Sequence, residues 1–165
     1  MSTETGNFEF DALQEARNYR DALIREFCEA LLGDVLEIGA GIGQITHQLA
    51  GLPRINRVLA VEPEPAFCEQ HRRLHPGHEV LQGTALDVPP ASAWNAIVSI
   101  NVLEHIENDT RELSLYADLL RARHGRLCLF VPARQEIYSP IDGDFCHFRR
   151  YSKGGLKAKM EQAGF

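Results

Sequence analysis

Apolar residues fall along this chain in two rhythms. Between Asp11 and Leu32 the positions Ala16, Tyr19, Leu23, Phe27 and Ala30 recur at steps of three and four, the stripe of an amphipathic helix. Asp11 is placed to begin that helix and Gly33 to end it, while residues 1–10 ahead of it are expected to be disordered. The rhythm then changes to short, nearly continuous apolar runs. Val35-Leu36-Glu37-Ile38 predicts a strand that flows into Gly39-Ala40-Gly41-Ile42-Gly43, after which Ile45 and Leu49 resume a helical period as far as Gly51-Leu52-Pro53. The unit repeats without the glycines. Residues 57–61 predict a second strand, residues 64–74 a helix stopped by His75-Pro76-Gly77, and residues 79–82 a third strand, followed by a loop ending in Asp87-Val88-Pro89-Pro90. A fourth strand is expected over 95–100, a helix over 109–123 with Leu113, Tyr116, Leu119 and Leu120 on one face, and a fifth strand over 126–131. Residues 132–148 read as irregular, and a last helix as 152–162. Buried strands alternating with helices predict an α/β fold, a mainly parallel sheet covered on both faces. The expected organisation is one domain over 11–165, with an N-terminal helix (11–32), a core (34–131) and a final loop and helix (132–165).

Composition narrows the classes this fold could serve. The 165 residues are enough for one such domain, and at 44% hydrophobic they supply its core without disulfides or a structural metal. A formal net charge of −6 disfavours a chain that holds nucleic acid by global electrostatics. No apolar run approaches the roughly 18 to 20 residues of a membrane span, and the start Met-Ser-Thr-Glu-Thr-Gly-Asn lacks the basic and apolar regions of a leader. Neither nucleic-acid nor membrane partners are therefore expected, and the expected location is cytoplasmic. Cys28, Cys68, Cys128 and Cys146 form no Cys-x-x-Cys pair and read as reduced thiols. His71, His75 and His78 have no nearby cysteine to complete a structural zinc site, so no metal is expected there.

The glycine turn carries the first chemical signal. Glycines let backbone N–H groups approach a ligand closely, and the helix that follows adds positive potential. The first strand brings Glu37 to this turn, and the second strand ends in Glu62, about twenty residues further on, where a carboxylate can accept hydrogen bonds from the vicinal hydroxyls of a ribose. The bland alternative for Glu62 is a strand-end carboxylate facing water. A nucleoside cofactor is implied, but not a dinucleotide: the third glycine of G-x-G-x-x-G is replaced by Gln44 when counted from Gly39. No Lys-Ser or Lys-Thr follows the turn, which excludes a P-loop. Glu37 is an odd neighbour for a pyrophosphate and suits a ligand with an ammonium group.

In this order, VLEIGAGIG (35–43), LAVEP (59–63), the loop aspartate Asp87 and NVLEHI (101–106) resemble the motifs of class I S-adenosylmethionine-dependent methyltransferases, over roughly Tyr19 to Phe165. The resemblance implies a Rossmann-like three-layer α/β/α sandwich with strand order 3-2-1-4-5, S-adenosyl-L-methionine as cofactor and S-adenosyl-L-homocysteine as product. It implies that Glu37 with Gly39, Ala40, Gly41 and Gly43 holds the methionine portion, that Glu62 beside Pro63 holds the ribose hydroxyls, and that Asp87 with the Leu86 backbone meets the adenine edge. Asn101 and Val102 would line the methionine side. Tyr19 either caps the cofactor or is a core tyrosine with its hydroxyl at the edge, and an aspartate before Val-Pro-Pro is also ordinary loop chemistry. The implied reaction is methyl transfer to an O, N or C nucleophile of a small-molecule acceptor.

Groups that could act on that acceptor are less sharply marked. His105 either takes a proton near neutral pH or simply packs beside the fourth strand. Some similar proteins carry an E-x-x-E-H metal-ligand set here, but Asn101 stands in the first ligand position, so no metal is carried over. The stretch Asp142 to Tyr151 resembles the H-x-R-R-Y-S/T segment of one methyltransferase branch. In one reading Arg149 and Arg150 grip an anionic acceptor while His147 or Tyr151 exchanges a proton. In the other, Asp142 or Asp144 pairs with the arginines to pin a long loop and Ser152 caps the last helix. Two other functions compete: a non-catalytic S-adenosylmethionine-binding module with a blocked acceptor pocket, and an NAD-dependent oxidoreductase, disfavoured by Gln44. Methyltransferases of this class usually add an antiparallel strand pair after a helix like the one ending in Ala163-Gly164-Phe165. The chain thus reads as a truncated domain lacking strands 6 and 7, with its fifth strand an open edge through which a homo-oligomer could form.

Overall fold

The computed structural model describes residues 16–165, so the expected helix start at Asp11 and the tail before it lie outside the described residues. Five strands, β1 (Gly33–Ile38), β2 (Ile55–Glu62), β3 (Glu79–Gln82), β4 (Ala96–Ile100) and β5 (Arg126–Phe130), form one sheet in the order β3-β2-β1-β4-β5. Every pairing is parallel. Around the sheet lie α1 (Arg17–Phe27), α2 (Gln44–Ala50), α3 (Pro65–Leu74), α4 (Asp109–Arg121), α5 (Pro140–Asp144) and α6 (Lys153–Ala163). This is the Rossmann-like α/β/α arrangement and strand order expected from the sequence. Among the described residues no helix is long and apolar enough to cross a membrane.

The strands are apolar throughout because both faces of the sheet are covered. Val35 and Leu36 are each fully buried, yet they enter different cores, since successive side chains of a strand point to opposite faces. Leu36, Val61 and Ile97 pack with Leu113, Tyr116 and Leu120 of α4 on one face. Val35, Val58, Ala96 and Val98 pack with Ile24 of α1 and Leu49 of α2 on the other. β1 sits between β2 and β4, so the connections on its two sides run in opposite directions across the sheet. That divergence opens a crevice at the carboxyl end of β1, where α/β sheets bind ligands.

Helix ends are set by local polar bonds. Asn108 caps α4, its Oδ1 accepting from the Arg111 N–H at 3.1 Å. Ser152 caps α6 as expected, its Oγ accepting from the Gly155 N–H at 3.1 Å. The largest departures from the sequence expectation have local causes. α1 ends at Phe27 rather than Leu32, because the chain closes there in a turn in which the Ala30 and Leu31 N–H groups both donate to the Phe27 carbonyl. Gly33 opens β1 rather than stopping a helix: its φ is +67°, and a Cβ there would stand 2.4 Å from Asn95 Oδ1. Residues 132–148 are not all irregular, since α5 forms behind a capping box in which the Ser139 N–H and hydroxyl donate to Asp142 Oδ2 at 2.9 and 3.3 Å. Pro140 at the first helical position favours the same start.

Leu36 lies at the centre of the sheet and is fully enclosed. Leu36→Ala is expected to cost about 2–5 kcal/mol of folding stability, the range for a buried leucine truncated in a close-packed core. Urea denaturation of the two proteins measures it.

Candidate functional site

A cavity of about 1020 Å³ occupies the crevice at the carboxyl ends of β1, β2 and β4. Glu37 near the end of β1 and Glu62 at the end of β2 form its acidic floor. Glu37 is 4% exposed, and its Oε2 accepts from the Thr46 hydroxyl of α2. Burial pushes its carboxyl up from 4.5 to about 8, against the Thr46 bond and with a further upward contribution from the nearby Glu62 charge. Glu62 is held on both sides: Oε2 accepts from the Gly41 N–H at 2.8 Å and Oε1 from the Glu64 N–H at 2.9 Å. Burial raises its carboxyl too, while those two backbone donors lower it.

The glycine turn is shaped by what surrounds it. The Gly39 and Ala40 N–H groups donate to the Val61 carbonyl at 2.8 and 3.1 Å, lashing the turn to β2. Gly39 has φ +73°, and a Cβ would stand 2.3 Å from Val102 Cγ2, so only glycine fits where the turn crosses the loop after β4. Gly39, Ala40 and Gly41 line the cavity together with Pro63, Leu86, Asn101, Val102 and Tyr19. The Tyr19 ring meets the Phe130 ring edge-on at 5.9 Å. Gly43 is a correction: it does not line the cavity. With φ +88° it begins α2 and faces away, so that a Cβ would stand 2.3 Å from His71 Nε2. Its requirement for glycine comes from packing behind the turn.

Asp87 shows the loop role that the sequence also allowed, through one of its two carboxylate oxygens. Its carboxylate turns back to accept from the Thr84 N–H at 2.8 Å and the Thr84 hydroxyl at 3.1 Å, bonds that hold its ionisation below the ordinary carboxylate range. It closes the 3₁₀ turn over Ala85–Asp87 in a capping box and is absent from the cavity wall, which Gly83, Thr84, Ala85 and Leu86 form instead.

Beyond Asn101 the cavity continues along His105, Ile106, Glu112, Phe145 and Cys146. The loss of water around the His105 ring, and the neighbouring His147, lower its pKa. The two rings meet edge to face at 4.7 Å. His147 itself does not line the cavity; its Nδ1 lies 3.2 Å from Asp142 Oδ1, and its side chain is 8% exposed. Glu104, His105 and His147 offer potential metal-ligating atoms within 4.8 Å of one another, a convergence that a reading of residues 101–106 alone does not reveal.

The remaining residues of the arginine-rich stretch have structural work. The Arg150 Nε donates to Asp142 Oδ1 at 2.6 Å. The Arg149 guanidinium donates to the Ile106 and Glu107 carbonyls at 2.6 and 2.7 Å and pairs with Asp109 at 3.2 Å. The Tyr151 hydroxyl donates within the core, 3.1 Å from both the Leu103 carbonyl and Asp109 Oδ2, and the residue is 5% exposed. None of the three lines the cavity, so the readings of Arg149 and Arg150 as acceptor grips and of Tyr151 as a proton carrier are corrected in favour of loop pinning. The expectation of an anionic acceptor loses its two arginines with them. Burial opposes ionisation of Asp142, but Arg150, the Ser139 N–H and His147 outweigh it and keep the carboxyl well below its ordinary range.

Two site residues escaped the sequence reading. Thr46 is the hydroxyl partner of Glu37, legible only as a polar residue on the first turn of the helix after the glycines. Glu112, in the wall beyond Asn101, is 9% exposed with its carboxyl raised by burial; on sequence it is one more charge on a helix.

Comparison with known proteins places these features in context. Residues 36–127 match the family model described as "Methyltransferase domain". An uncharacterized methyltransferase of Oceanobacillus iheyensis is 28% identical over 96 residues, 58% of this chain and 44% of that protein. The chain therefore spans less than half the length of that curated relative. Among solved structures, a DhpI complex with SAH superposes with a TM-score of 0.67 at 25% identity, covering 94% of this chain and 80% of that one. A SAM-dependent methyltransferase from Archaeoglobus fulgidus superposes at 0.73 with 18% identity over 96% of this chain and 74% of its own, a likeness of fold.

Two outcomes follow from the geometry. The fold prefers protonated Glu37, so that group's favourable contribution is complete below pH 4.5 and lost as pH rises through about 8. Without ligand, stability between pH 6 and pH 9 is expected to fall less in Glu37→Gln than in the parent, measured by urea denaturation at each pH. Tyr151→Phe is expected to lose about 1–3 kcal/mol, because Asp109 and the Leu103 carbonyl are left short of a donor. An unchanged denaturation midpoint would contradict the core role.

Proposed function

Because the chain belongs to the methyltransferase domain family, we propose that it transfers a methyl group from S-adenosyl-L-methionine to a nucleophile of a small-molecule acceptor, leaving S-adenosyl-L-homocysteine. The observation that carries this reading is the Glu62 carboxylate, buried at the cavity floor and pre-set by the Gly41 and Glu64 N–H groups. Each of its oxygens takes one backbone bond and keeps acceptor capacity for a ribose hydroxyl. Glu37 supports the same ligand. A carboxyl driven up to about 8 by burial is stabilised in its ionised form by an incoming ammonium group. Gly39, Ala40 and Gly41 bring the backbone close to the methionine portion, Asn101 and Val102 flank it, Tyr19 covers it, and Pro63, Thr84 and the Leu86 backbone bound the nucleoside.

The cofactor supplies a methyl group already activated on a sulfonium. The protein's part is then to align a nucleophile with it and exclude water. The wall of His105, Ile106, Glu112, Phe145 and Cys146 lies beyond the methionine side and is the proposed acceptor pocket. His105, whose neutral form is favoured by burial and by the neighbouring His147, is the group placed to accept a proton from the acceptor. His147 holds the His105 ring edge-on and is a positioning residue. The space along this wall favours an enzyme over a binding module with a blocked pocket.

Calorimetric titration with S-adenosylmethionine, S-adenosylhomocysteine and NAD tests the reading. Binding of the first two and not of NAD is expected, and Glu62→Ala is expected to weaken that binding by about 1–3 kcal/mol. NAD binding without S-adenosylmethionine binding would overturn the proposal, and unchanged affinity in Glu62→Ala would remove the ribose assignment.

A further inference from the structure

Behind the glycine turn, on the side away from the cavity, four histidines from separate stretches of sequence gather. His47 lies in the last turn of α2, His71 in the last turn of α3, His75 at the C-cap of α3, and His78 just before β3. Ring centroids are 4.8 Å apart for His47 and His75, 5.1 Å for His75 and His78, and 5.6 Å for His47 and His78. His47, His75 and His78 each offer a ring nitrogen, and these atoms all lie within 4.8 Å of one another. The backbone fixes two of the three: the His75 N–H donates to the His71 carbonyl at 2.8 Å, and the His78 N–H to the His75 carbonyl at 3.0 Å. His78 Nδ1 is buried and has no hydrogen-bond partner. The third, His47, is exposed at the helix end and has room to turn.

We propose that His47, His75 and His78 form a binding site for a divalent first-row transition-metal cation such as Zn²⁺, separate from the cofactor cavity. Imidazole nitrogen is the donor such ions take readily, at about 2.0–2.1 Å for zinc. Three such bonds to one ion put the donor nitrogens about 3.3 Å apart, a closure that rotation of the exposed His47 ring and small shifts of the other two supply. Water completes the coordination on the open side. Arg72 and Arg73 of α3 are the cationic side chains nearest in sequence, and among the described residues no carboxylate joins the three histidines in the cluster. The fully buried His71 ring forms the floor, edge-on to His75 at 5.7 Å and to His78 at 5.8 Å. The same ring packs closely against Gly43. A bound ion would therefore tie the end of α2 to the turn between α3 and β3, and so brace the outside of the glycine turn.

This site does not rest on the methyl-transfer reading, and its test is independent of it. The full chain carrying His147→Gln, which disables the Glu104, His105 and His147 convergence, is titrated with Zn²⁺ against a chromogenic chelator, and with Co²⁺ by visible absorption. One equivalent bound at micromolar affinity or tighter is expected, with affinity falling about tenfold or more in His47→Ala and further in the His75→Ala/His78→Ala double variant. Circular dichroism confirms that each variant is folded. Should the double variant fail to fold, the exposed His47→Ala decides alone. No saturable binding up to about 100 μM Zn²⁺, an affinity far weaker than that of structural or catalytic zinc sites, would overturn the proposal. So would an affinity that His47→Ala leaves unchanged.

Discussion

The hydrogen bond from the Gly41 N–H to the Glu62 carboxylate, 2.8 Å long, joins the ends of two adjacent parallel strands at the place where the sheet opens. The rest of the cavity is arranged around that link. It needs Gly39 to turn sharply against Val102, the Val61 carbonyl to receive the two preceding N–H groups, and α2 to leave with its N-terminus at the crevice. A carboxylate in such a place loses hydration, and the two backbone donors at Glu62 are the compensation. Glu37, one strand over, has the Thr46 hydroxyl as its side-chain donor among the described residues. The two acids thus differ in readiness: one is held as an acceptor, while the other gains most from a cationic ligand.

The acceptor side is built by a different device. Asp109 at the start of α4 receives the Tyr151 hydroxyl, the Lys159 ammonium at 2.8 Å and the Arg149 guanidinium. Burial alone would raise its carboxyl, but these cationic and hydroxyl donors lower it. Asp142 does the same for Arg150, His147 and the Ser139 cap. Charged groups in such networks are costly to desolvate and strongly destabilising if one partner is lost, so both aspartates are better understood as fasteners than as reserve chemistry. They pin Ser139, His147, Arg149, Arg150 and Tyr151, and so set His147 against His105.

Periodicity resolved the strands, their parallel sense and most helices, because a sheet covered on both faces forces uninterrupted apolar runs. It misjudged the end of α1 and overlooked α5, where the outcome turned on single hydrogen bonds and a Ser-Pro start rather than on a repeating pattern. Within the site, Glu37, Gly39, Gly41 and Glu62 were legible because they cluster at strand ends and at one glycine turn. Asp87, Arg149, Arg150 and Tyr151 each carried two readings for the same physical reason: a polar residue near a site is consistent with facing a ligand or a neighbour, and sequence spacing does not distinguish the two.

The sequence by itself determined the α/β class, the strand order through its resemblance, and the acidic pair beside the glycines, since each follows from local periodicity or from residues close along the chain. Only the tertiary structure decided which polar groups face the cavity. It turned Asp87 back onto Thr84, sank Tyr151 into the core, brought His147 to His105 and gathered His47 with His75 and His78. Those outcomes depend on distances between residues remote in sequence, which are set by how the helices dock on the sheet and are carried by no single stretch of chain.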